Sequence, residues 1–198
     1  MNFLAHALLA GAQPADRVGG VIGDFVKGRL EPLPPGLSPA LAAGVMLHRR
    51  IDSYADRHPA FQRSRARISA ERRRVSGIMV DMFYDHFLAR HWARFSAQAL
   101  EAFAADTYAL LGSFPEPLPA AFMPMFQAMA ADDWFAGYRE PQRIAGALDA
   151  MAHRRLRRPN ALAGAGAELL RDYAGFEADC LEFLPDARAY AAALIAAR

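Results

Sequence analysis

Acids and histidines interrupt several strongly apolar stretches of this chain, at spacings that bring them together. In "GIMVDMFYDHFLAR" (77–90), Asp81 and Asp85 lie four residues apart, with His86 directly after them. Ile78, Met79, Val80, Met82, Phe83, Tyr84, Phe87 and Leu88 leave a helix there almost no wet face. In "VMLHRRIDSYAD", His48, Asp52 and Asp56 are again spaced by four and share one helical face. His6 sits inside "NFLAHALLA", and Asp24 follows "GGVIG" and precedes "FV". Adjacent carboxylates repel, and burying one unpaired costs on the order of several kcal/mol. A cation set between the helices would remove both penalties. The donors are carboxylates and imidazoles without thiolate, which suits Mn²⁺, Mg²⁺ or Fe²⁺ better than a structural zinc. No glutamate has a histidine three residues on, so the Glu-x-x-His pair of helical di-iron sites is missing. Each residue also has a plainer reading. His6 would be a hydrogen-bonded core histidine, His48–Asp52 a surface pair, and Asp24 a helix end. Asp81 and Asp85 would be ion-paired with Arg49, Arg50 or Arg90. Asp56 and His58 read as cap or surface residues before Pro59.

A second constellation is basic. Lys27 is the only lysine, and arginines crowd the stretch from Arg49 to Arg74. They include Arg63, Arg65, Arg67, Arg72, Arg73 and Arg74, with a later group containing Arg154 and Arg155. Solvated helix faces are the ordinary explanation. The functional one is an electropositive collar that steers an acidic macromolecule toward the polar cluster. Nucleic acid is not expected, because the basic runs lack interleaved aromatics and carry no recognised nucleic-acid motif.

The elements that must position these residues are helical. Apolar residues make up 54% of the 198 and aromatics 11%, enough for one folded domain with a real core. The periodicity is helical nearly throughout, so the expectation is an all-α, single compact domain spanning 1–198, with the site in its N-terminal half. Asn2 should cap a first helix to about Gly11, and a second should run from Asp16 to Lys27. Ser38–Pro39 opens a third that continues to Pro59. An arginine-rich segment and the helix of the 77–90 stretch follow. Later helices are expected near 96–112, 120–131, 141–155 and 161–184, with Pro185 starting a last short one. Cys180 is the only cysteine, which excludes an intrachain disulfide. The apolar start has no basic leader region and carries His6, unlike a secretory signal. No apolar run reaches the roughly 18 residues of a membrane span. A cytoplasmic protein without membrane attachment is expected.

Taken together, "MNFLAHALLA", "GDFVKG", "HRRIDSYAD", "RRRVSGIMVDMFYDHFLARHW" and "MAHRRL" resemble the acyl-carrier-protein phosphodiesterase family. The likeness is ordered from residue 1 to about His91 and thins afterwards to Trp134, "GYR" and Arg154–Arg155. The resemblance implies an all-helical fold distantly related to HD-type phosphohydrolases, with a divalent metal, usually manganese. It implies hydrolysis of the phosphodiester joining 4′-phosphopantetheine to a serine of holo-acyl carrier protein. By motif, Asp24 carries over as a catalytic or metal-binding residue, and His6, His48, Asp52, Asp81, Asp85 and His86 as candidate ligands. Arg49 or Arg50 would then balance charge on the phosphoryl oxygens. The arginine collar, Arg154 and Arg155 included, would dock the acidic carrier. This chain has "DH" at 85–86, the reverse of the pair that names the HD superfamily. The competing expectations are a metal phosphohydrolase acting on nucleotides or other small phosphodiesters, and a non-catalytic helical module that binds acidic proteins.

Overall fold

The structure is a computed structural model that describes residues 1–155 and 160–198, without the side chains of 154 and 155. Among the described residues there are helices and turns but no strand, as the periodicity predicts. The elements that build the site are α1 (Phe3–Leu9), α2 (Pro14–Ile22), a 3₁₀ turn (Gly23–Phe25) and α3 (Pro39–Ala55). After them come α4 (Pro59–Arg67), a second 3₁₀ turn (Ala70–Val75) and α5 (Ser76–Arg90). The remainder is α6 (Leu100–Ser113), α7 (Met123–Ala131), α8 (Trp134–Gly137), α9 (Pro141–Arg155), α10 (Gly166–Arg171) and α11 (Tyr173–Ala196).

α5 is the central element, in line with its nearly uniform hydrophobicity. Met79, Val80, Phe83, Tyr84, Phe87 and Leu88 are all fully buried. Long α11 packs along α3, α4 and α5. It brings Phe176 against Phe83 and Phe183 against Tyr84, at ring separations of 5.1 and 5.5 Å. Ser38 caps α3 as its sequence suggests, its Oγ accepting from Leu41 N at 3.1 Å, with Pro39 in the first turn. His58 caps α4 in the same way, through Nδ1 and Ala60 N at 3.2 Å.

Four local expectations are corrected. Asn2 does not cap α1; its amide lies toward Met82 Sδ and Tyr138 Oη. The carboxylate of Asp85 does the capping instead, accepting from Leu4 N at 2.8 Å and Ala5 N at 3.0 Å. α2 stops at Ile22 rather than Lys27. The guanidinium of Arg49 takes the carbonyls of Val26 (2.7 Å) and Gly28 (2.9 Å) and holds the chain there in a turn. The helix expected over 161–184 starts only at Gly166 and breaks at Asp172. Asn160 and Asp149 side chains bind Leu162 N and Gly164 N at 3.0 and 2.8 Å, which favours turns before it. Finally, Pro185 lies inside α11 and does not open a new helix. Its missing N–H removes one helical bond, and burial of Phe183, Leu184, Ala187 and Ala191 around it outweighs that loss.

Candidate active site

Glycines bring α1, α2 and α3 unusually close. A Cβ on Gly19 would stand 2.5 Å from the Gly44 carbonyl carbon, and one on Gly20 would stand 2.9 Å from the His6 carbonyl oxygen. Only hydrogen fits at either place, so α2 lies backbone-to-backbone on α3 and against α1. As a result, His6 of α1 and His48 of α3 stack with ring centroids 3.8 Å apart and planes at 24°. A Cβ on Gly23 would fall 2.2 Å from His48 Cγ, so the turn after α2 forms one wall against that imidazole.

Asp52, one helical turn after His48, joins the two rings. Its Oδ1 lies 3.0 Å from His6 Nε2 and its Oδ2 lies 3.1 Å from His48 Nε2. His48 Nδ1 donates to the carbonyl of Gly20 at 2.8 Å, which turns Nε2 toward the acids. Asp24, on the 3₁₀ turn, has Oδ1 3.7 Å from that same Nε2 and a side chain 69% exposed. The α-amino group of Met1 donates to Asp52 Oδ1 at 3.0 Å and lies 2.8 Å from Asp81 Oδ1. The Asp81 contact is an ion pair without hydrogen-bond direction.

The electrostatics follow from burial and from these neighbours. Burial lowers His6 to about 4, and adjacent His48 pushes the same way. For His48 burial is overridden: the adjacent carboxylates of Asp24 and Asp52 raise it to about 9. Burial acts to raise Asp52, but the Met1 ammonium and both histidines hold it far below the usual carboxylate range. The neighbouring His48 lowers Asp24, so it is ionised at neutral pH. Burial raises Asp81. Three carboxylates therefore meet one imidazolium and one ammonium, with no arginine or lysine ion-paired to any of them among the described residues.

This donor set fits a divalent cation. His6, His48 and Asp52 each offer a ligand atom, and the three atoms lie within 4.8 Å of one another. His6 Nδ1 is buried without a hydrogen-bond partner, an orphaned polar atom of the kind that clusters at functional sites.

Other sequence candidates lie elsewhere. Asp85 is fully buried, with both oxygens committed to the α1 backbone. Burial raises it to about 7, against the pull of those two N–H groups. His86 is engaged away from the cluster, its Nδ1 donating to Tyr138 O and its Nε2 accepting from Tyr173 Oη, each at 2.8 Å. Both belong to the scaffold as the structure places them. Arg49 is tied to the 26–28 turn, and Arg50 is exposed.

The collar is also smaller than its arginine count suggests. Arg63 and Arg67 direct Nε to Asp179 of α11, each at 2.9 Å. Arg65 pairs with Asp56 at 3.4 Å, and Arg72 lies 3.7 Å from Glu168. These four fasten α4 and the following turn to the rest of the fold. Arg73 and Arg74 are exposed and make no ion pair within the described residues. The side chains of Arg154 and Arg155 lie outside the described residues.

Beside the cluster opens a cavity of about 590 Å³, with Asp24 and Asp81 in its wall. Its other walls include Met82, Trp134, Tyr138 and Arg143, mostly from the second half of the chain. Trp134 and "GYR" echo the resemblance in the sequence, but nothing in their spacing marks them as cavity residues.

The acyl carrier protein phosphodiesterase family model matches residues 1–187. The acyl carrier protein phosphodiesterase of Serratia proteamaculans is 35% identical over 187 residues, covering 93% of this chain and 94% of that protein. The Yersinia pestis protein of the same name is 35% identical over 186 residues, with 93% and 94% covered. That of Escherichia coli O157:H7 is 33% identical over 186 residues with the same coverage. No solved structure matches the chain. On the strength of a match across nearly its whole length, this chain belongs to the acyl carrier protein phosphodiesterase family.

Proposed function

We propose that this chain hydrolyses the phosphodiester between 4′-phosphopantetheine and a serine of holo-acyl carrier protein, releasing apo-carrier and 4′-phosphopantetheine. The observation that carries the reading is the His6–His48–Asp52 cluster with Asp24 beside it, opening on a cavity, in a chain of this family. A divalent cation, Mn²⁺ by preference over Mg²⁺ or Fe²⁺, would be held by His6, His48 and Asp52; when bound it supplies Lewis-acid polarisation of the phosphoryl group and acidifies water. Asp24 is exposed, ionised and adjacent to His48, which suits it to orient the attacking water and accept its proton. Attack at phosphorus expels the serine oxygen, which takes up a proton to become the carrier's hydroxyl. Stacked His6 and His48, clamped by glycine-tight packing, keep the donor set preorganised. Asp81, half-buried beside the same cavity, adds negative charge that favours retention of a cation.

The protein partner is then an acidic carrier. Arg73 and Arg74, exposed on the turn before α5, are the collar residues left to meet it, and such docking weakens with added salt. A cytoplasmic setting suits this substrate, and no helix among the described residues is long and apolar enough to cross a membrane.

The direct test is mass spectrometry of holo-acyl carrier protein incubated with the protein and Mn²⁺, with and without chelator. Loss of the phosphopantetheine mass only with metal, abolished by Asp24→Ala, is the expected result. An intact holo-carrier alongside hydrolysis of nucleotides or other small phosphodiesters would overturn the reading.

A further inference from the structure

α9 turns an unusual face to the cavity. Gln142, Gly146 and Ala150 form one row four apart, and Arg143, Ala147 and Met151 form the next. The middle of this face is a strip of small residues. Gly19 and Gly44 are glycines because another backbone occupies the space of a side chain, but Gly146 is not. A Cβ on Gly146 would meet nothing within 4 Å. Glycine is the poorest helix former apart from proline, so no local or packing need explains it in the middle of this 15-residue helix. What its missing side chain preserves is cavity width.

Opposite α9, α5 contributes Asp81 and Met82 to the cavity, and Asp24 reaches it from the turn after α2. The cavity and the His/Asp cluster thus share a wall. A volume of about 590 Å³ is in the range that encloses a small organic group. Met82, Met125 and Met151 give it a soft lining that adapts to a flexible chain. Exposed Gln142 and Arg143 supply polar groups on the same helix.

Given the function proposed above, on which this step rests, we infer that the cavity holds the phosphopantetheine arm during cleavage, with Gly146 setting the width of its track along α9. The arm matches the lining: methyl and methylene groups for the apolar walls, and amides and a hydroxyl for Gln142 and Arg143. Its phosphate end then reaches Asp24 and Asp81. Recognition of the arm itself gives a physical reason for the enzyme to act on carriers that bear it. Gly146 is a specificity-determining residue in this arrangement, not a catalytic one.

The test compares wild type, Gly146→Ala and Gly146→Leu in two assays. One titrates free 4′-phosphopantetheine against the fluorescence of Trp134. The other tryptophan, Trp92, is buried against Phe103 and does not line the cavity. The second assay measures initial rates on holo-acyl carrier protein. Wild type should bind saturably and cleave, Gly146→Ala should weaken binding and raise KM by a smaller factor of about twofold to threefold, and a leucine side chain filling the cavity should weaken binding and raise KM by at least about tenfold. Leucine-variant behaviour equal to wild type, or a wild type that cleaves holo-carrier yet never binds the free arm, overturns this inference alone. A wild type that binds the arm but leaves holo-carrier intact overturns the proposed function and keeps the cavity assignment. If circular dichroism shows that Gly146→Leu does not fold, Ala150→Leu on the same row carries the same expectations.

Discussion

Replacing Gly23 by alanine tests whether the site depends on where the His48 ring stands. The new Cβ would lie 2.2 Å from Cγ, 2.4 Å from Cδ2 and 2.6 Å from Nδ1 of His48. To regain an ordinary contact of 3.4 Å, ring and turn must separate by about 1.2 Å. The ring has little freedom to comply, being bonded to Gly20 O at 2.8 Å and stacked on His6 at 3.8 Å. A displacement near 1 Å carries Nε2 out of its 3.1 Å contact with Asp52, and misplacement of that size in a catalytic constellation costs roughly a hundredfold in rate. Overpacking of one methyl group should lower stability by about 1–3 kcal/mol, leaving a folded protein. The assay is kcat on holo-acyl carrier protein at saturating metal, with urea unfolding of the same preparation. Gly77→Ala serves as the control, since a Cβ there meets nothing within 4 Å. If Gly23→Ala were folded and cleaved the carrier within about twofold of wild type, positional control of His48 by the turn would be refuted.

Asp24→Asn should abolish cleavage with little change in thermal stability, because the side chain is 69% exposed; a large drop in Tm would mark it as structural instead. Asp179→Asn should destabilise the fold by about 2 kcal/mol, since it strips two partly exposed arginines and Ser64 of their shared buried carboxylate; urea unfolding checks this. Arg73→Ala/Arg74→Ala should leave stability unchanged but raise KM for the carrier at low salt, with equal KM for variant and wild type refuting a docking role. Asp85 binds its proton more tightly folded (about 7) than at its ordinary 3.8, so its contribution to stability is fullest below about pH 4 and is lost as pH rises to about 7. Wild type should therefore lose stability relative to Asp85→Asn across that window, and a flat difference in unfolding free energy would contradict it.

The helical periodicity of the sequence found the elements around the site, and the four-residue spacing of His48 and Asp52 placed them together on α3. The signal was an acid or imidazole among apolar neighbours, and it also selected Asp85 and His86. Asp85 shows why it could not discriminate. A buried carboxylate satisfied by two backbone N–H groups looks, in sequence, the same as one awaiting a cation. His86 is satisfied likewise by a carbonyl and a tyrosine hydroxyl far along the chain. The arginine run misled for a related reason, because the partners of Arg63 and Arg67 lie more than a hundred residues away, on and beside α11. Composition records a charge but not its neutralisation. The cavity-facing side of α9 was the least legible part, since small residues in rows of four read as ordinary helix packing until Gly146 is seen to have nothing against it.

The capping of α1 from α5 ties the order of assembly to the order of synthesis. α1 has seven residues, too few to hold a helix in water without help, and the carboxylate that secures its first turn is 80 residues downstream. His6 thus leaves the ribosome well before α5 and is fixed in place only after α5 has emerged. A nascent chain carrying α2 and α3 alone would present His48 and Asp52 without their companion imidazole. The His/Asp cluster would stay incomplete until the central helix arrived to secure α1 beside it.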